Sequence, residues 1–451
     1  MSSTSQLKQL GLFEARVPRY TSYPPATHFA PFQGTGMVTD WITAIPAETE
    51  ISLYVHIPFC RRLCWFCACR TQGTQKLEPV AAYVRMLLAE LRMLRVLLPP
   101  GIRLSRLHWG GGTPTLLPAA MITRLAEAIL SAFPMTPTGE FSVEIDPSEI
   151  DAPRMAALAG AGVNRASIGV QDFDPQIQET IGRPQSHELT AAAVRLIRDH
   201  GIANLNADIL YGLPHQTTAR ISDTVQKLLA LSPDRVALYG YAHVPWMSKR
   251  QVMIPEQALP DAQARLALFD TARALFLSEG FGEIGIDHFS RPDDGLARAV
   301  RAGRLRRNFQ GYTDDRAQVL IGLGASSISR YPQGYAQNAP ATGAYIAAVR
   351  DGRLPVTRGH AFTPEDIWRG RMIEALMCDF RIDATEMAER FGIGPGQFDR
   401  IVGPALAQFG RVLHRGPAGL DIATEGRPLA RMIANAIDAY AIAPGSHSSA
   451  I

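Results

Sequence analysis

Between residues 50 and 330, short apolar runs of strand length alternate with longer segments of helical periodicity. The apolar runs predict strands at 51–59, 104–109, 141–145, 165–170, 205–211, 235–243, 283–289 and 319–323. Between them, apolar residues recur at the spacing of one helix face, as at Val84, Leu87, Leu88 and Leu91. Repeated strand and helix units predict parallel strands joined by right-handed crossovers, and hence an α/β fold with a partial TIM-like (β/α) barrel.

Beyond residue 363 the pattern becomes mainly helical, with a short hairpin-like pair before the last helix. Three helical segments and a small hairpin predict a winged-helix-like C-terminal domain. The predicted organisation is an N-terminal arm over the active site (1–49), a barrel domain (50–330), a connecting segment (331–362), the helical C-terminal domain (363–443) and a mobile tail (444–451).

Composition excludes several classes of protein. The 451 residues are 46% hydrophobic and carry a formal charge of only +3, which is typical of a globular protein and gives no overall field that favours nucleic acid. No apolar run approaches the roughly 18 residues of a membrane span, so we expect a cytoplasmic protein. Only four of the 45 basic residues are lysine, so a single arginine is weak evidence of function.

The cysteines carry the strongest chemical signal, because four of the five lie between residues 60 and 69. A disulfide framework would need them spread along the chain. Cys60, Cys64 and Cys67 offer three thiolates on a short loop after a strand, and these can face three corners of a four-iron four-sulfur cluster while one iron stays open. The alternative is a structural zinc site that uses Cys69 as well, although zinc sites usually join two separated cysteine pairs.

The spacing C-x3-C-x2-C, with Phe66 before the last cysteine, resembles the radical S-adenosylmethionine superfamily. The resemblance implies that the methionine amino and carboxylate groups chelate the open iron, and that an electron from the cluster yields a 5′-deoxyadenosyl radical. The segment Gly110–Pro114 resembles the glycine segment that receives the methionine in that superfamily. Glycine suits this position because it lets the backbone approach a ligand closely.

A closer resemblance extends along nearly the whole chain. Segments 18–24, 54–69, 108–115, 169–173, 208–214, 287–289, 307–313 and 335–338 resemble the oxygen-independent coproporphyrinogen III oxidase (dehydrogenase) family. The resemblance implies an oxidoreductase of haem biosynthesis. It would decarboxylate two propionates of coproporphyrinogen III to vinyl groups, giving protoporphyrinogen IX.

The same resemblance implies the cofactors and the residues that bind them. It implies one four-iron four-sulfur cluster on Cys60, Cys64 and Cys67, and two molecules of S-adenosylmethionine. The implied cofactor-binding positions are Tyr54, Phe66, Gly111, Gly112, Thr113, Glu144, Gln171, Arg183, Asp208, Ala242 and Ile328.

Further expectations concern the substrate and the partners. Cys69 also matches the family pattern. It is a candidate catalytic residue rather than a cluster ligand, and the sequence leaves open whether it acts in catalysis or only packs. Because Arg pairs well with carboxylates, Arg19 and Arg307 are candidate anchors for the propionates that are retained. We expect a monomer that needs an electron donor and an electron acceptor, neither of which the sequence identifies.

Two other functions fit parts of the sequence. A haem-binding chaperone of the same superfamily would share the barrel and three cysteines, but such relatives typically lack Cys69 and the arm segment 19–24. A nucleic-acid-binding protein could use the winged-helix-like domain, but the near-neutral charge argues against it.

Overall fold

The computed structural model describes residues 3–440 and 450. The strands are β1 (Ala30–Pro31), β2 (Glu50–Ile57), β3 (Phe59–Cys60), β4 (Gln72–Gly73), β5 (Arg103–Gly111), β6 (Met135–Ile145), β7 (Arg165–Gln171), β8 (Asn204–Tyr211), β9 (Arg235–Gly240), β10 (Gly282–Ile284), β11 (His288–Ser290), β12 (Arg306–Asn308), β13 (Gly311–Thr313), β14 (Leu320–Leu323), β15 (Ile328–Tyr331), β16 (Gly334–Asn338), β17 (Val356–Ala361), β18 (Arg381–Asp383), β19 (Leu413–Gly416) and β20 (Gly419–Ile422).

The helices are α1 (Ser3–Gln9), α2 (Gly36–Thr43), α3 (Glu78–Leu97), α4 (Ala119–Ala132), α5 (Ala152–Gly160), α6 (Pro175–Thr180), α7 (His187–Asp199), α8 (Thr218–Ala230), α9 (Ala262–Ser278), α10 (Gly295–Arg301), α11 (Thr342–Arg350), α12 (Pro364–Cys378), α13 (Ala384–Phe391), α14 (Pro395–Phe409) and α15 (Ala430–Ala436). No helix in the described part of the chain has the length and apolarity to cross a membrane.

The central feature is a 13-stranded sheet within the described residues, in the order β1-β17-β16-β15-β14-β2-β5-β6-β7-β8-β9-β11-β10. The strands from β14 to β9 in this order are parallel, as the sequence pattern predicts. Helices α3, α4, α5 and α7 pack against one another in succession, so they cover the same face of the sheet. An open parallel sheet with helices on one face is the arrangement of a partial barrel.

Capping residues fix where several crossover helices begin. The side chains of Asp151, Ser186, Thr217 and Asp261 each accept a hydrogen bond from a backbone N–H in the first turn of α5, α7, α8 and α9, respectively. These bonds satisfy donors that have no partner inside the helix. Each strand therefore ends in a loop of defined length before its helix turns back along the sheet.

The edges of the sheet differ from the all-parallel prediction. The strand predicted at 283–289 is an antiparallel hairpin, β10 and β11, because the chain turns at Gly285, whose φ is +57°. At the other edge, β15, β16, β17 and β1 are also antiparallel. The predicted connecting segment 331–362 therefore supplies two strands of the main sheet and helix α11.

The C-terminal part contains the predicted helices and hairpin, and a third strand joins them. Strand β18 pairs with β20, so the order of this small sheet is β18-β20-β19. The arm packs against this part, since the Tyr20 hydroxyl donates to Asp438 (2.8 Å) and the Tyr23 hydroxyl accepts from Ala439 N–H (3.0 Å). The winged-helix likeness and the domain boundaries stay predictions, and the predicted tail 444–451 lies outside the described residues except for Ala450.

A buried ion cluster closes the end of the sheet where the strands begin. Arg165 opens β7 and pairs with Glu140 (2.7 Å) and Asp294 (3.2 Å), and Arg235 opens β9 and pairs with Asp294 (2.6 Å). Burial alone would raise the pKa of Glu140, but Arg165 and Arg235 lower it to about 2. The charges at this end are therefore neutralised within the protein, which leaves the opposite end for ligands.

We expect Asp294→Ala to lower the free energy of unfolding by about 3–5 kcal/mol, because it leaves two buried guanidinium groups without their shared carboxylate. Urea denaturation followed by circular dichroism measures the change. Asp223→Ala, which removes an exposed partner of Lys227 on α8, is the control and should cost less than about 1 kcal/mol. Equal losses in the two variants would contradict a structural role for the cluster.

Candidate active site

A closed loop presents the cysteines at the carboxyl end of β2. Strands β3 and β4 pair in parallel, with Phe59 opposite Gln72 and Cys60 opposite Gly73. Thr74 N–H donates to the Cys60 carbonyl at 2.9 Å and strengthens this closure. We call residues 60–74 the cluster loop. It holds four cysteines within one short, backbone-bonded segment.

The cysteine side chains are free thiols in different environments. Cys64 is buried, Cys60 and Cys67 are half-buried, and Cys69 is exposed. In residues 3–440 and 450, no three His, Cys, Asp or Glu side chains converge closely enough to hold one metal ion. In a four-iron four-sulfur cluster each thiolate binds a different iron.

Nearby donors and charges suit thiolate ligands. Arg183 donates to the Cys64 sulfur at 3.4 Å, and the Cys69 backbone N–H donates to the Cys67 sulfur at the same distance. Hydrogen bonding from Cys69 lowers the pKa of Cys67 to about 6, whereas burial raises the pKa of Cys60 to about 11. Metal binding would release the proton that Cys60 holds at neutral pH. These residues fit an iron–sulfur cluster.

The glycine segment after β5 lies directly against the start of the cluster loop. Gly112 N–H donates to the Ile57 carbonyl (2.8 Å), and Thr113 N–H donates to the Phe59 carbonyl (2.8 Å). A Cβ atom at Gly112 would lie 2.6 Å from the Phe59 carbonyl oxygen, and one at Gly111, whose φ is +111°, would lie 2.5 Å from the His56 ring. Only glycine allows the segment to pack this closely against the cluster loop. We call residues 110–113, which lie beside the cysteines, the glycine cradle.

A polar array lines the sheet beside this cradle. Glu144 accepts from Gly111 N–H at 3.0 Å and lies 3.4 Å from His108 Nε2. Burial alone would raise the pKa of Glu144, but the hydrogen bonds from His108 and Gly111 hold it below its usual value. Tyr54 stacks on His108 with ring centres 5.7 Å apart. Glu144 is thus an ionised acceptor beside the glycine backbone.

Arg183 links the cysteines to the next two strands. Its guanidinium donates to the Gly169 carbonyl (2.9 Å) and pairs with Asp146 (3.5 Å), while its buried Nε–H has no hydrogen-bond partner among the described residues. Gln171, at the end of β7, has a φ of +68°. A Cβ at Gly169 would lie 2.8 Å from the Gln171 amide and 3.4 Å from Arg183.

The remaining cofactor candidates approach the same region from the flanking strands. Burial raises the pKa of Asp208, on β8, to about 7. Gln251 is fully buried and donates to the carbonyls of Phe66 (2.7 Å) and Ala242 (3.0 Å), and so joins these two positions. The backbone of Ile328 lies against Gly322 on β14. Gly322 in turn pairs with Tyr54 on the neighbouring strand β2, so Ile328 lies one strand away from Tyr54.

Arg19 and Arg307 lie at the edge of this region, near β9 and β11. Arg19 is exposed and donates to the Gly240 carbonyl at 2.9 Å. Arg307 is 5% exposed, stacks on the Tyr312 ring at 4.5 Å and lies 3.7 Å from Asp287. Burial alone would raise the pKa of Asp287, but the charge of Arg307 and the hydrogen bond with His288 lower it to about 2. The structure therefore places Arg307 beside this carboxylate and Arg19 at the carboxyl end of β9.

Sequence reasoning assigned no role to several residues of this site. His288 lies 2.7 Å from Asp287 and 3.3 Å from the Tyr239 hydroxyl, which links the arginine region to β9. The segment 287–289 is part of the family resemblance, but resemblance alone does not indicate this hydrogen-bonded chain. The sequence around Gln251 does not indicate its role, because a single Gln far along the chain from Phe66 belongs to no recognisable motif.

Taken together, a three-cysteine loop, a glycine cradle and a partial barrel define a radical S-adenosylmethionine enzyme. Residues 54–228 match the family model described as the Radical SAM superfamily. The chain is 67% identical over 451 residues to the oxygen-independent coproporphyrinogen III oxidase of Paracoccus denitrificans, with 100% of both chains covered. It is 56% identical over 440 residues to that of Cereibacter sphaeroides, covering 98% of each. The chain belongs to the oxygen-independent coproporphyrinogen III oxidase family.

A solved structure supports the same fold. Coproporphyrinogen III oxidase from Escherichia coli, described as a radical SAM enzyme, superposes with a TM-score of 0.89 at 34% identity. The match covers 95% of this chain and 100% of the other. The predicted α/β fold class is therefore confirmed, and the winged-helix-like C-terminal domain stays a prediction.

We expect serine variants of Cys60, Cys64 and Cys67 each to lose the cluster, and Cys69→Ser to keep it, because three thiolates leave one iron open. Iron and acid-labile sulfide per chain after anaerobic reconstitution measure the outcome. Cys378→Ser is the control, because this buried thiol packs in a separate apolar cluster. Loss of iron in the Cys69 variant equal to that in the other three would show four protein ligands.

We expect Arg183→Ala and Asp208→Ala to fold normally and to bind S-adenosylmethionine at least about tenfold more weakly, because each removes a hydrogen-bonding group from the predicted cofactor site. Calorimetric titration of the reconstituted protein measures affinity, and circular dichroism measures folding. Arg195→Ala, on the exposed face of α7, is the control. If both variants fold and bind S-adenosylmethionine with unchanged affinity, the assignment of Arg183 and Asp208 to the cofactor site is wrong.

Proposed function

We propose that this chain catalyses the anaerobic oxidative decarboxylation of two propionates of coproporphyrinogen III, giving protoporphyrinogen IX in haem biosynthesis. The observation that carries the proposal is the joining of two half-sites at one end of the sheet. The cysteine and glycine half lies along β2 to β8, and the arginine half lies along β9 and β11. Full-length similarity to named oxidases supports this activity over the haem chaperone.

The cofactor half is proposed to hold one four-iron four-sulfur cluster and S-adenosylmethionine. When bound, they supply one-electron chemistry that can remove a hydrogen atom from an unactivated carbon. Cys60, Cys64 and Cys67 are the proposed ligands. Glu144 can accept from the methionine amino group or a ribose hydroxyl, and the unpaired Arg183 Nε–H can donate to a carboxylate.

The other cofactor contacts keep the roles that the family resemblance implies, and two molecules of S-adenosylmethionine remain part of the proposal. Glycine backbone at 111 and 112 would approach the ligand closely. The contacts proposed for the two molecules are Tyr54, Phe66, Gly111, Gly112, Thr113, Glu144, Gln171, Arg183, Asp208, Ala242 and Ile328.

Cys69 is proposed to act at the reacting centre rather than on an iron. Its thiol is exposed, unlike the buried Cys64. Its backbone N–H donates to the Cys67 sulfur at 3.4 Å, so Cys69 lies directly beside a proposed cluster ligand. A thiol in that position can contact substrate.

The arginine half is proposed to bind the carboxylates of the substrate. Arg307 keeps two N–H groups, at Nε and Nη1, without hydrogen-bond partners in the described part of the chain. Asp287 offsets only part of the positive charge of Arg307 and Arg19. The arm residues Tyr20 and Tyr23 line a cavity of about 620 Å³ that Arg307 also lines, which supports entry of substrate beneath the arm.

The reaction also requires partners. Each propionate gives up one hydrogen atom, one electron and one carbon dioxide, so an electron acceptor is needed besides the donor that reduces the cluster. We propose that the protein acts as a monomer. We also propose that it acts in the cytoplasm, because its free, clustered cysteines require a reducing compartment.

The proposed function predicts two vinyl groups per substrate. Reconstituted enzyme, incubated anaerobically with S-adenosylmethionine, a chemical reductant, an electron acceptor and coproporphyrinogen III, should release two carbon dioxide molecules for each protoporphyrinogen IX. Product absorbance after oxidation and labelled carbon dioxide measure this ratio. Cys60→Ser is the control without cluster. Stable haem binding without decarboxylation would instead identify a chaperone.

A further inference from the structure

The loop at residues 244–254 exposes an unusual group of large apolar side chains. Trp246, Met247, Val252 and Met253 are 53%, 62%, 71% and 58% exposed, respectively. Single exposed apolar residues are common on proteins, but four within eight residues form a patch, and such patches mark interaction sites. We call residues 244–254 the apolar loop.

This loop is bonded directly to the cluster loop. Ser248 donates to the Cys67 carbonyl (3.0 Å), and Gln251 donates to the Phe66 carbonyl (2.7 Å). Arg250 donates to the Thr71 carbonyl at 2.8 Å. The exposed patch therefore rests on the backbone of a proposed cluster ligand.

Every charged residue of the two loops is basic. The cluster loop (60–74) contains Arg61, Arg62 and Arg70, and the apolar loop contains Lys249 and Arg250. The whole chain carries only +3. Arg61 pairs with Glu149 (3.7 Å), whereas Arg62, Arg70 and Lys249 are exposed. A partner for this surface should therefore be acidic at its rim and apolar at its centre.

We propose that the apolar loop and the cluster loop form the docking surface for a small acidic one-electron carrier protein. This inference rests on the proposed function, which requires an external electron for the cluster. The docked carrier loses one electron and the cluster gains one, and no covalent bond forms. Contact through Ser248 and Gln251 shortens the path between the carrier and the cysteines.

The probe is a purified acidic flavodoxin, and the test compares matched double variants of the reconstituted enzyme. Arg62→Glu with Lys249→Glu reverses charge on the surface, and Met247→Ser with Met253→Ser removes apolar contact. Arg124→Glu with Arg195→Glu makes the same charge change on the exposed faces of α4 and α7 and is the control.

We expect both surface variants to bind flavodoxin at least about tenfold more weakly at low salt, and the control to bind it like the unmodified protein. Biolayer interferometry over a salt series measures binding. Stopped-flow absorbance of the cluster measures its reduction by flavodoxin. With a chemical reductant instead of flavodoxin, every variant should decarboxylate at the normal rate.

Three outcomes would overturn the docking proposal. Unchanged flavodoxin binding in both surface variants would show that the carrier docks elsewhere. Equally weak binding in the control variant would show that only the net charge of the protein matters. Tight binding of the apolar loop to phosphatidylglycerol vesicles, lost in the surface variants while flavodoxin binding stays, would identify a membrane surface. If the unmodified enzyme does not decarboxylate coproporphyrinogen III with the chemical reductant, the proposed function is wrong. The flavodoxin-binding measurements do not depend on that activity and still test the docking surface.

Discussion

The parallel pairing of β2 with β5 is the constraint on which the rest of the site depends. In this register Ile57 lies opposite Gly111, so the cysteine loop and the glycine segment leave neighbouring strands at the same level. Backbone bonds from Gly112 and Thr113 to the carbonyls of Ile57 and Phe59 then lock the two segments together. A slip by one residue would turn alternate side chains to the opposite face and separate the cysteines from the cradle.

Charge is divided between the two ends of the sheet. At the amino ends, Arg165, Arg235, Glu140 and Asp294 neutralise one another in a buried cluster. At the carboxyl ends, Arg183 and Arg307 keep N–H groups without partners in the described residues. A buried donor without a partner is suited to an anionic ligand where it lies in a proposed site, as at Arg183 and Arg307, whereas the Arg165 Nη1–H, which also has no hydrogen-bond partner in the described residues, lies inside the ion cluster.

The sequence predicts the features that local pattern encodes. Apolar periodicity locates the parallel strands, and the spacing of Cys60, Cys64 and Cys67 identifies a cluster loop because all three ligands lie within one short segment. Pattern alone does not distinguish a strand from a hairpin at 283–289, because one glycine turn, at Gly285, decides it. The antiparallel edge strands β15, β16 and β17 are missed because polar residues such as Arg330, Gln337 and Arg358 interrupt the apolar run that marks a strand.

Long-range contacts are the other part that sequence reasoning does not reach. Gln251 joins Phe66 to Ala242 through a single side chain about 185 positions from one partner, and nothing near it in the sequence signals this role. Likewise, the chain from Tyr239 through His288 to Asp287 forms only when β9 and β11 pair. The individual assignments to cofactor and substrate remain proposals that rest on resemblance and on this geometry.

If Cys60, Cys64 and Cys67 are the cluster ligands, one iron stays open to S-adenosylmethionine. Electron–nuclear double resonance of the reduced, reconstituted enzyme can detect this bond, using S-adenosylmethionine labelled with ¹⁵N in the amino group and ¹⁷O in the carboxylate. We expect hyperfine coupling of both labels to the cluster, in the unmodified protein and in Cys69→Ser alike. A cluster that shows no coupling to either label while the cofactor is bound would rule out an iron open to the cofactor.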